Sequence, residues 1–99
     1  MQHILSEVQI IPIREQDGLV AFASLVLDGD VYLGGIGIYT RPEGGYRLTY
    51  PTRKAGTMSY PVYNPINRAV AQEFEQKVIG KYEEVVKPYD RYNRPNTWG

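Results

Sequence analysis

The chain of 99 residues has no cysteine and only one histidine, His3, which lies beside the N-terminus. Without cysteine the chain has neither a disulfide framework nor a thiolate nucleophile, and it fits a reducing compartment. The serines have no nearby histidine in the sequence to act as a general base, and a single histidine is too little for a zinc site. We therefore expect no catalytic residue, no metal and no cofactor.

Long apolar runs are also missing. No stretch approaches the roughly 20 apolar residues that span a bilayer, and the N-terminus lacks the charged and apolar regions of a signal peptide. The glycine-rich segment Gly34-Gly-Ile-Gly37 lies within a strand pattern and no helix follows it, so it is not a dinucleotide-binding or phosphate-binding loop. The expectation is a cytoplasmic protein that contacts no membrane and takes no small-molecule substrate.

The net charge is zero, because eleven basic residues balance eleven acidic residues. The charges are nevertheless unevenly spread. Residues 1–30 carry one basic residue against five acidic ones, residues 31–68 carry five basic residues against one acidic one, and residues 69–99 balance. A neutral average can therefore hide a basic face, which matters for nucleic-acid binding more than the average does.

Apolar residues and turn residues alternate over the first half of the chain in a pattern that predicts strands over residues 4–13, 19–27, 31–40 and 46–50. Asp-Gly pairs separate the first three strands and favour tight hairpins over metal loops. The second strand is apolar on both faces. Such a strand is usually covered on both, and we expect a helix on one face and a partner subunit on the other.

A helix follows the strands. Apolar residues recur every four positions over residues 70–82, which is typical of an amphipathic helix. Two starts are open: Asn64 caps the helix with Pro65 at its first position, or Asn67 caps a slightly later start. Pro88 is expected to end the helix at Lys87. Residues 1–87 are thus predicted to form a single α+β domain, an antiparallel β-meander of four to five strands followed by one α-helix packed on the sheet. Residues 88–99 are predicted to form a flexible tail.

The pattern from Tyr46 to Lys54 predicts a strand that is followed by two adjacent basic residues. Leu48 shares one face with the two tyrosines at positions 46 and 50, and Arg47 lies on the other face. Pro51 ends the strand, and Arg53 and Lys54 follow it at the edge of the sheet. Residues 51–64 are expected to form a mobile surface loop with a short extended piece around residues 58–62.

The central cations and their neighbouring tyrosines permit two interpretations. The cations could neutralise phosphates while the tyrosines stack on bases. Alternatively, the tyrosines fill the face of the sheet and the cations keep the surface soluble. The residues concerned are Arg41, Arg47, Arg53, Lys54 and Arg68 among the cations, and Tyr46, Tyr50, Tyr60 and Tyr63 among the tyrosines. The glycines at positions 34, 35 and 37 are likewise open to two interpretations, a bend in a twisted sheet or the close approach of a ligand or partner backbone.

Four motifs in register resemble the SpoVG family of bacterial sporulation and septation regulators. Ala21-Phe-Ala-Ser-Leu-Val-Leu-Asp28 is similar to the family's second strand, and Ile36-Gly-Ile38 to the end of its third strand. Pro51-Thr-Arg-Lys54 stands where the family has Pro-Ser-Lys-Arg, and Asn64-Pro-Ile-Asn67 where it has His-Pro-Ile-Asn. Order and spacing agree over about four-fifths of the chain, roughly from Ile4 to Glu84.

The resemblance implies a homodimeric, non-enzymatic protein that binds DNA and RNA with little sequence preference and acts in gene regulation, cell septation and sporulation. Arg53 and Lys54 match the basic pair of the family and are the expected contacts to nucleic acid, with Arg47 and Arg68 in support. The alternative hypothesis is a non-catalytic protein–protein interaction module that uses a sheet edge or the tyrosine-rich segment 58–63.

Overall fold

A computed structural model of the chain describes residues 3–93, with the side chains of residues 3–86. It contains six strands and one helix: β1 (Leu5–Gln16), β2 (Leu19–Leu27), β3 (Val31–Thr40), β4 (Tyr46–Thr49), β5 (Thr52–Ala55), β6 (Met58–Pro61) and α1 (Arg68–Asn93). Strands β1 to β4 form an antiparallel meander, and β5 and β6 form a separate two-stranded antiparallel sheet. The helix packs on the four-stranded sheet. The predicted α+β fold is confirmed.

Tight turns join the strands where the sequence predicts them. Asp17 and Gly18 connect β1 to β2 with φ angles of 53° and 93°. Two positive φ angles in a two-residue loop are the pattern of a type I′ turn, whose twist matches that of the flanking strands. Asp28 and Gly29 also have positive φ in the turn between β2 and β3. The second and third strands therefore have the predicted bounds, whereas β1 extends three residues further, to Gln16.

A β-bulge in β1 explains why its apolar residues change parity along the strand. The register shifts between Ser6 and Gln9, and Glu7 within this interval has a φ of 50°. Across the bulge, the alternation of side chains between the two faces of the strand shifts by one residue. As a result Leu5 and Ile10 both face the helix, although one position is odd and the other even.

A second bulge lies in β3 at Gly34 and Gly35. Leu25 pairs with Leu33 and Ala23 pairs with Ile36, so two glycines stand opposite the single residue Ser24. Gly35 has a φ of 75°, which is a left-handed conformation that glycine adopts without strain. The bend that the sequence predicts for this strand is confirmed.

One face of the four-stranded sheet and one face of α1 form the core. The buried residues are Leu5, Ala21, Ala23, Ser24, Leu25, Ile36, Ile38, Phe74, Val78 and Tyr82. Burying a large side chain such as that of Leu25 or Ile38 stabilises a fold by about 1.5–3 kcal/mol. The helical residues follow the predicted spacing of four, so this periodicity identifies the face of α1 that packs on the sheet.

The opposite face of the sheet is not covered within the described chain. Ile11 pairs with Phe22 on this face, and Phe22 pairs with Gly37 in the next strand. Ile11 is 63% exposed and Phe22 is 41% exposed. We call this surface the open face. The sequence prediction that β2 is apolar on both faces is confirmed, and the helix covers one of them.

The helix begins at the later of the two predicted positions. The side-chain Oδ1 of Asn67 accepts hydrogen bonds from the backbone N–H groups of Ala69 at 2.8 Å and Val70 at 3.3 Å. These groups have no carbonyl partner within the first turn of a helix, and an asparagine at this position satisfies them. Asn67 is therefore the N-cap, and Asn64 precedes the helix.

The prediction that α1 ends at Lys87 is wrong, because the helix continues through Pro88 to Asn93. Proline has a φ that fits a helix, and it removes one backbone donor rather than forbidding the conformation, at a cost of about 3 kcal/mol. Of the predicted flexible tail, residues 88–93 are helical and residues 94–99 lie outside the described residues. Between residues 3 and 93, no helix is both long enough and apolar enough to cross a membrane.

Candidate nucleic-acid interface

The basic pair lies on a β-hairpin that consists of β5, β6 and the turn between them. We call this hairpin, Thr52–Pro61, the arm. Every residue of both strands is exposed. Gly56 has a φ of 65° at the first position of the two-residue turn, which is the pattern of a type II′ turn. The extended piece predicted around residues 58–62 is confirmed, but the expected loop over residues 51–64 is largely a paired hairpin.

Both ends of the arm rest on the bulge of β3. A Cβ atom added to Gly35 would lie 3.5 Å from the Cβ of Pro51, at the start of the arm. At its other end, the hydroxyl of Tyr63 donates a hydrogen bond of 2.7 Å to the carbonyl oxygen of Gly34. The backbone N–H of Val62 also donates to the carbonyl of Pro51 at 2.9 Å and closes the base. The glycine bulge of β3 therefore supports the base of the arm.

Three of the four tyrosines considered for base stacking pack inside the molecule. Tyr46 contacts Tyr82 with ring centroids 5.1 Å apart, and Tyr50 contacts both Tyr63 and Phe74 at 6.0 Å. All of these pairs are edge-to-face, a favourable arrangement for buried rings. The interpretation that tyrosines fill the sheet face is confirmed for positions 46 and 50.

The environment of this aromatic cluster also changes its acidity. Burial raises the pKa of Tyr50 to about 12, and the negative charge of Glu75 adds to the effect. Burial likewise raises the pKa of Tyr63 to about 12, with a further contribution from Tyr32. Both phenols stay protonated at neutral pH, so Tyr63 keeps the hydroxyl proton that it donates to Gly34.

Arg53 and Lys54 project from opposite faces of the arm, because neighbouring residues in a strand point to opposite sides. Arg53 pairs across the hairpin with Tyr60, and Lys54 pairs with Ser59. The first face carries Arg53, Ala55, Met58 and Tyr60, and the second face carries Thr52, Lys54, Ser59 and Pro61. The basic pair is therefore not a single patch.

The two supporting cations lie elsewhere. Arg47 is on the open face, where its guanidinium carbon lies 4.6 Å from the centroid of the Tyr39 ring, a cation–π contact. Arg68 is the first residue of α1 and is exposed on the other side of the sheet. Arg41 is exposed in the loop after β3. The structure joins Arg53 and Lys54 on one element but does not bring Arg47 and Arg68 together.

The arm carries positive charge without compensation. Residues 51–63 contain Arg53 and Lys54 but no aspartate or glutamate. Among the residues whose side chains are described, the ion pairs join His3 to Asp28 and Lys81 to Glu84, so neither cation of the arm has a carboxylate partner. Unpaired, exposed cations on a projecting hairpin are free to neutralise phosphates.

The Asp28 turn serves the fold. Its carboxylate accepts a hydrogen bond from the backbone N–H of Ile4 at 2.8 Å and lies 3.1 Å from the Nδ1 atom of His3. The backbone hydrogen bond and then His3 lower the pKa of Asp28.

Over the described part of the chain, no three histidine, cysteine or acidic side chains are grouped so that they could hold a metal ion.

The exposure of Tyr60 and its position opposite Arg53 could not be predicted from the sequence. It is 50% exposed, and among residues 3–86 no aromatic ring or cation packs against its ring. The signal in the sequence that could have separated it from the other tyrosines is Gly56. A turn centred there sets the register that places Tyr60 opposite Arg53.

Comparison with known proteins adds no family: no family model matches the chain, and no curated protein matches it. The resemblance to the SpoVG family therefore stays a prediction from the motifs.

Proposed function

We propose that this protein is a homodimeric, sequence-tolerant DNA- or RNA-binding regulator that contacts nucleic acid through the arm. The observation that carries the proposal is the arm itself, an exposed two-stranded ribbon that holds Arg53 and Lys54 and no acidic residue. The resemblance to SpoVG regulators supports the same reading and adds the cellular role, gene regulation with septation and sporulation in the cytoplasm.

The arm suits backbone recognition. A two-stranded ribbon is narrow enough to enter the major groove or to lie along a single strand. Arg53 offers a planar guanidinium that binds a phosphate through two hydrogen bonds, and Lys54 offers a point charge. Arg53 and Lys54 lie on opposite faces of the ribbon, so a nucleic-acid strand that wraps around the arm contacts both of them through its phosphates. Such contacts do not depend on the base sequence. Arg68, at the exposed helix start, adds positive charge without an acidic neighbour in the first turn of the helix.

Homodimerisation is supported by the open face. Ile11 and Phe22 form a solvent-exposed apolar surface on this face. A small domain gains stability when a second copy buries such a surface. A dimer also doubles the number of arms, and two linked weak sites bind one strand more tightly than either site alone.

The alternative function, a protein–protein interaction module, is favoured by one observation. Met58 on the first face of the arm is 56% exposed, and Val62, directly after the arm, is 60% exposed. A partner protein could cover these apolar groups. The two functions differ in their dependence on salt and on the cations, so one binding experiment separates them.

The experiment is a titration of labelled, mixed-sequence single-stranded DNA and RNA, followed by fluorescence anisotropy at increasing salt. Substituting Arg53→Ala and Lys54→Ala together is expected to weaken binding at low salt by roughly tenfold for each lost contact. The slope of log K against log salt should become shallower by about 1.4, since each phosphate contact to a single strand contributes about 0.7.

The matched control is the pair Lys77→Ala and Lys81→Ala, which removes the same charge from the exposed side of α1. This variant should bind almost as the unchanged protein does. Binding that is insensitive to salt, or equal losses in the two double variants, would count against the arm as the contact. No binding to any oligonucleotide at low salt would favour the interaction module.

A further inference from the structure

The first face of the arm combines the features of a stacking site for a nucleobase. Arg53 and Tyr60 are a directly opposed cross-strand pair, and the Cβ atoms of such pairs are about 4.5–5.5 Å apart. Met58 extends the apolar surface toward the turn on the same face. The face therefore presents one aromatic ring, one cation beside it and an apolar flank.

The ring of Tyr60 is available. The other aromatic rings near the arm are engaged, because Tyr50 and Tyr63 contact each other and Tyr50 also contacts Phe74. Tyr60 is half exposed and makes none of these contacts. A base stacked on such a ring contributes affinity whatever its identity, since every base has a π-face.

We infer that the arm binds single-stranded nucleic acid, with one base stacked on Tyr60 and the phosphate of that nucleotide held by Arg53. The inference rests on the proposed function and names its substrate class. In a duplex the base faces are covered by their neighbours, so the ring of Tyr60 has nothing to stack on. Lys54, on the second face, contributes charge but no contact to the stacked nucleotide.

The test compares three ligands of equal length: a mixed-sequence single strand, the same strand with abasic sites in place of its bases, and a duplex. The protein is used unchanged and with Tyr60→Ala or Tyr60→Phe. Tyr60→Ala is expected to weaken binding of the base-bearing strand by roughly five- to 150-fold, the range for loss of one stacked base. Tyr60→Phe keeps the ring and should bind like the unchanged protein. The abasic strand should bind weakly and should not respond to Tyr60→Ala.

Val31→Ala is the control, because Val31 is also about half exposed but lies at the start of β3, outside the arm and its base. It should not change binding of the single strand. A Tyr60→Ala variant that binds the base-bearing strand normally, or that loses affinity for the base-bearing and abasic strands equally, would overturn the stacking site.

The same data separate this inference from the proposed function. If Tyr60→Ala has no effect while the Arg53→Ala and Lys54→Ala double variant still loses salt-dependent affinity, the arm binds phosphates and the stacking site is wrong. If the unchanged protein binds none of the three ligands at low salt, both the proposed function and the stacking site are wrong. The unfolding temperature of each variant shows whether it is folded, and Tyr60 is exposed enough for its loss to leave the core intact.

Discussion

Tyrosine has two different uses in this chain, and they are decided residue by residue. Tyr46 on β4 and Tyr50 directly after it lie on the side of the sheet that packs against the helix, where they meet Tyr82 and Phe74. Tyr60 lies on a hairpin without a core, so its ring faces solvent. The alternation of Tyr46, Leu48 and Tyr50 predicted the inward face, whereas no periodicity marked the exposed ring.

Gly37 of β3 shows how close packing of side chains from neighbouring strands favours a small residue. A Cβ atom added to Gly37 would lie 2.6 Å from the Oγ1 atom of Thr49 in the neighbouring strand and 3.3 Å from Leu19. Real Cβ atoms do not come this close to another heavy atom, so a larger residue at position 37 would require the side chain of Thr49 to move, and glycine avoids that shift. The sequence left open a bend or the close approach of a ligand or partner backbone. The bulge at Gly34 and Gly35 matches the bend, and the close approach of a ligand or partner stays a prediction.

The N-cap gives a prediction at the level of one side chain. Asn67→Ala removes the acceptor for the N–H groups of Ala69 and Val70, and it is expected to lower the free energy of unfolding by about 1 kcal/mol. Chemical denaturation monitored by circular dichroism measures the change.

Asn64→Ala is the matched control, because the same substitution three residues earlier removes no cap. It should change the free energy of unfolding by less than about 0.5 kcal/mol. Equal losses in the two variants would show that the assignment of the cap to Asn67 is wrong.

The elements of the sheet were predictable where one face is buried. Residues 19–27 run apolar between two Asp-Gly turns, and residues 31–40 lie between an Asp-Gly turn and the Pro- and Gly-containing loop 41–45, so the bounds of β2 and β3 follow from the sequence. The arm was missed as a hairpin because neither of its faces enters the core, and a strand without a buried face leaves no hydrophobic period. The end of α1 could not be predicted correctly, because a proline such as Pro88 usually ends a helix and this helix continues through it.

An isolated two-stranded hairpin is marginally stable in water, so the arm depends on its base. Pro51 lies beside Gly35, and the hydrogen bonds from Tyr63 to Gly34 and from Val62 to Pro51 hold the base of the ribbon. The strands beyond this base are held by their own ladder and by the turn at Gly56. This arrangement exposes the residues of the arm without detaching them from the sheet.

The molecule as a whole has one covered and one uncovered sheet face. With strands about 4.8 Å apart and about 3.4 Å per residue, the open face of a sheet of this size presents roughly 500 Å². Two copies packed through it would bury about 1,000 Å² in total, near the lower limit for a specific interface. Phe22 on the inner strand β2 and Ile11 beside it on β1 are apolar, and Arg47 on the edge strand β4 is held on Tyr39. We therefore expect a second copy of the chain on this face.

Dimerisation through the open face is tested by Phe22→Glu, which places a charge at the centre of the expected interface. Sedimentation equilibrium should give a dimer mass for the unchanged protein and a monomer mass for the variant. Phe22 is 41% exposed in the single chain, so the variant should still fold.

The control is Ile66→Glu, since Ile66 is 95% exposed before the helix and lies off the open face. It should remain a dimer. A monomer mass for the unchanged protein, or a dimer mass for Phe22→Glu, would contradict this assignment of the dimer surface.

Much of the candidate site could be named from the sequence, but its geometry could not. Arg53 and Lys54 were identified from their place after Pro51, by resemblance to a family motif. That they lie on opposite faces, and that Tyr60 stands opposite Arg53, follows from the hairpin register. Register requires knowing where the turn lies, and Gly56 alone is too weak a signal for that. The placement of Arg47 and Arg68 on opposite sides of the sheet depends on packing between elements far apart in the chain.

An NMR titration tests whether the arm contacts nucleic acid. Amide chemical shifts of the labelled protein would be followed while a short single strand is added at low salt. We expect shift changes concentrated at Arg53, Lys54 and Tyr60, with Lys77 and Lys81 on the exposed side of α1 unchanged. Changes confined to the helix or to the open face, or none on the arm as the strand saturates the protein, would contradict it.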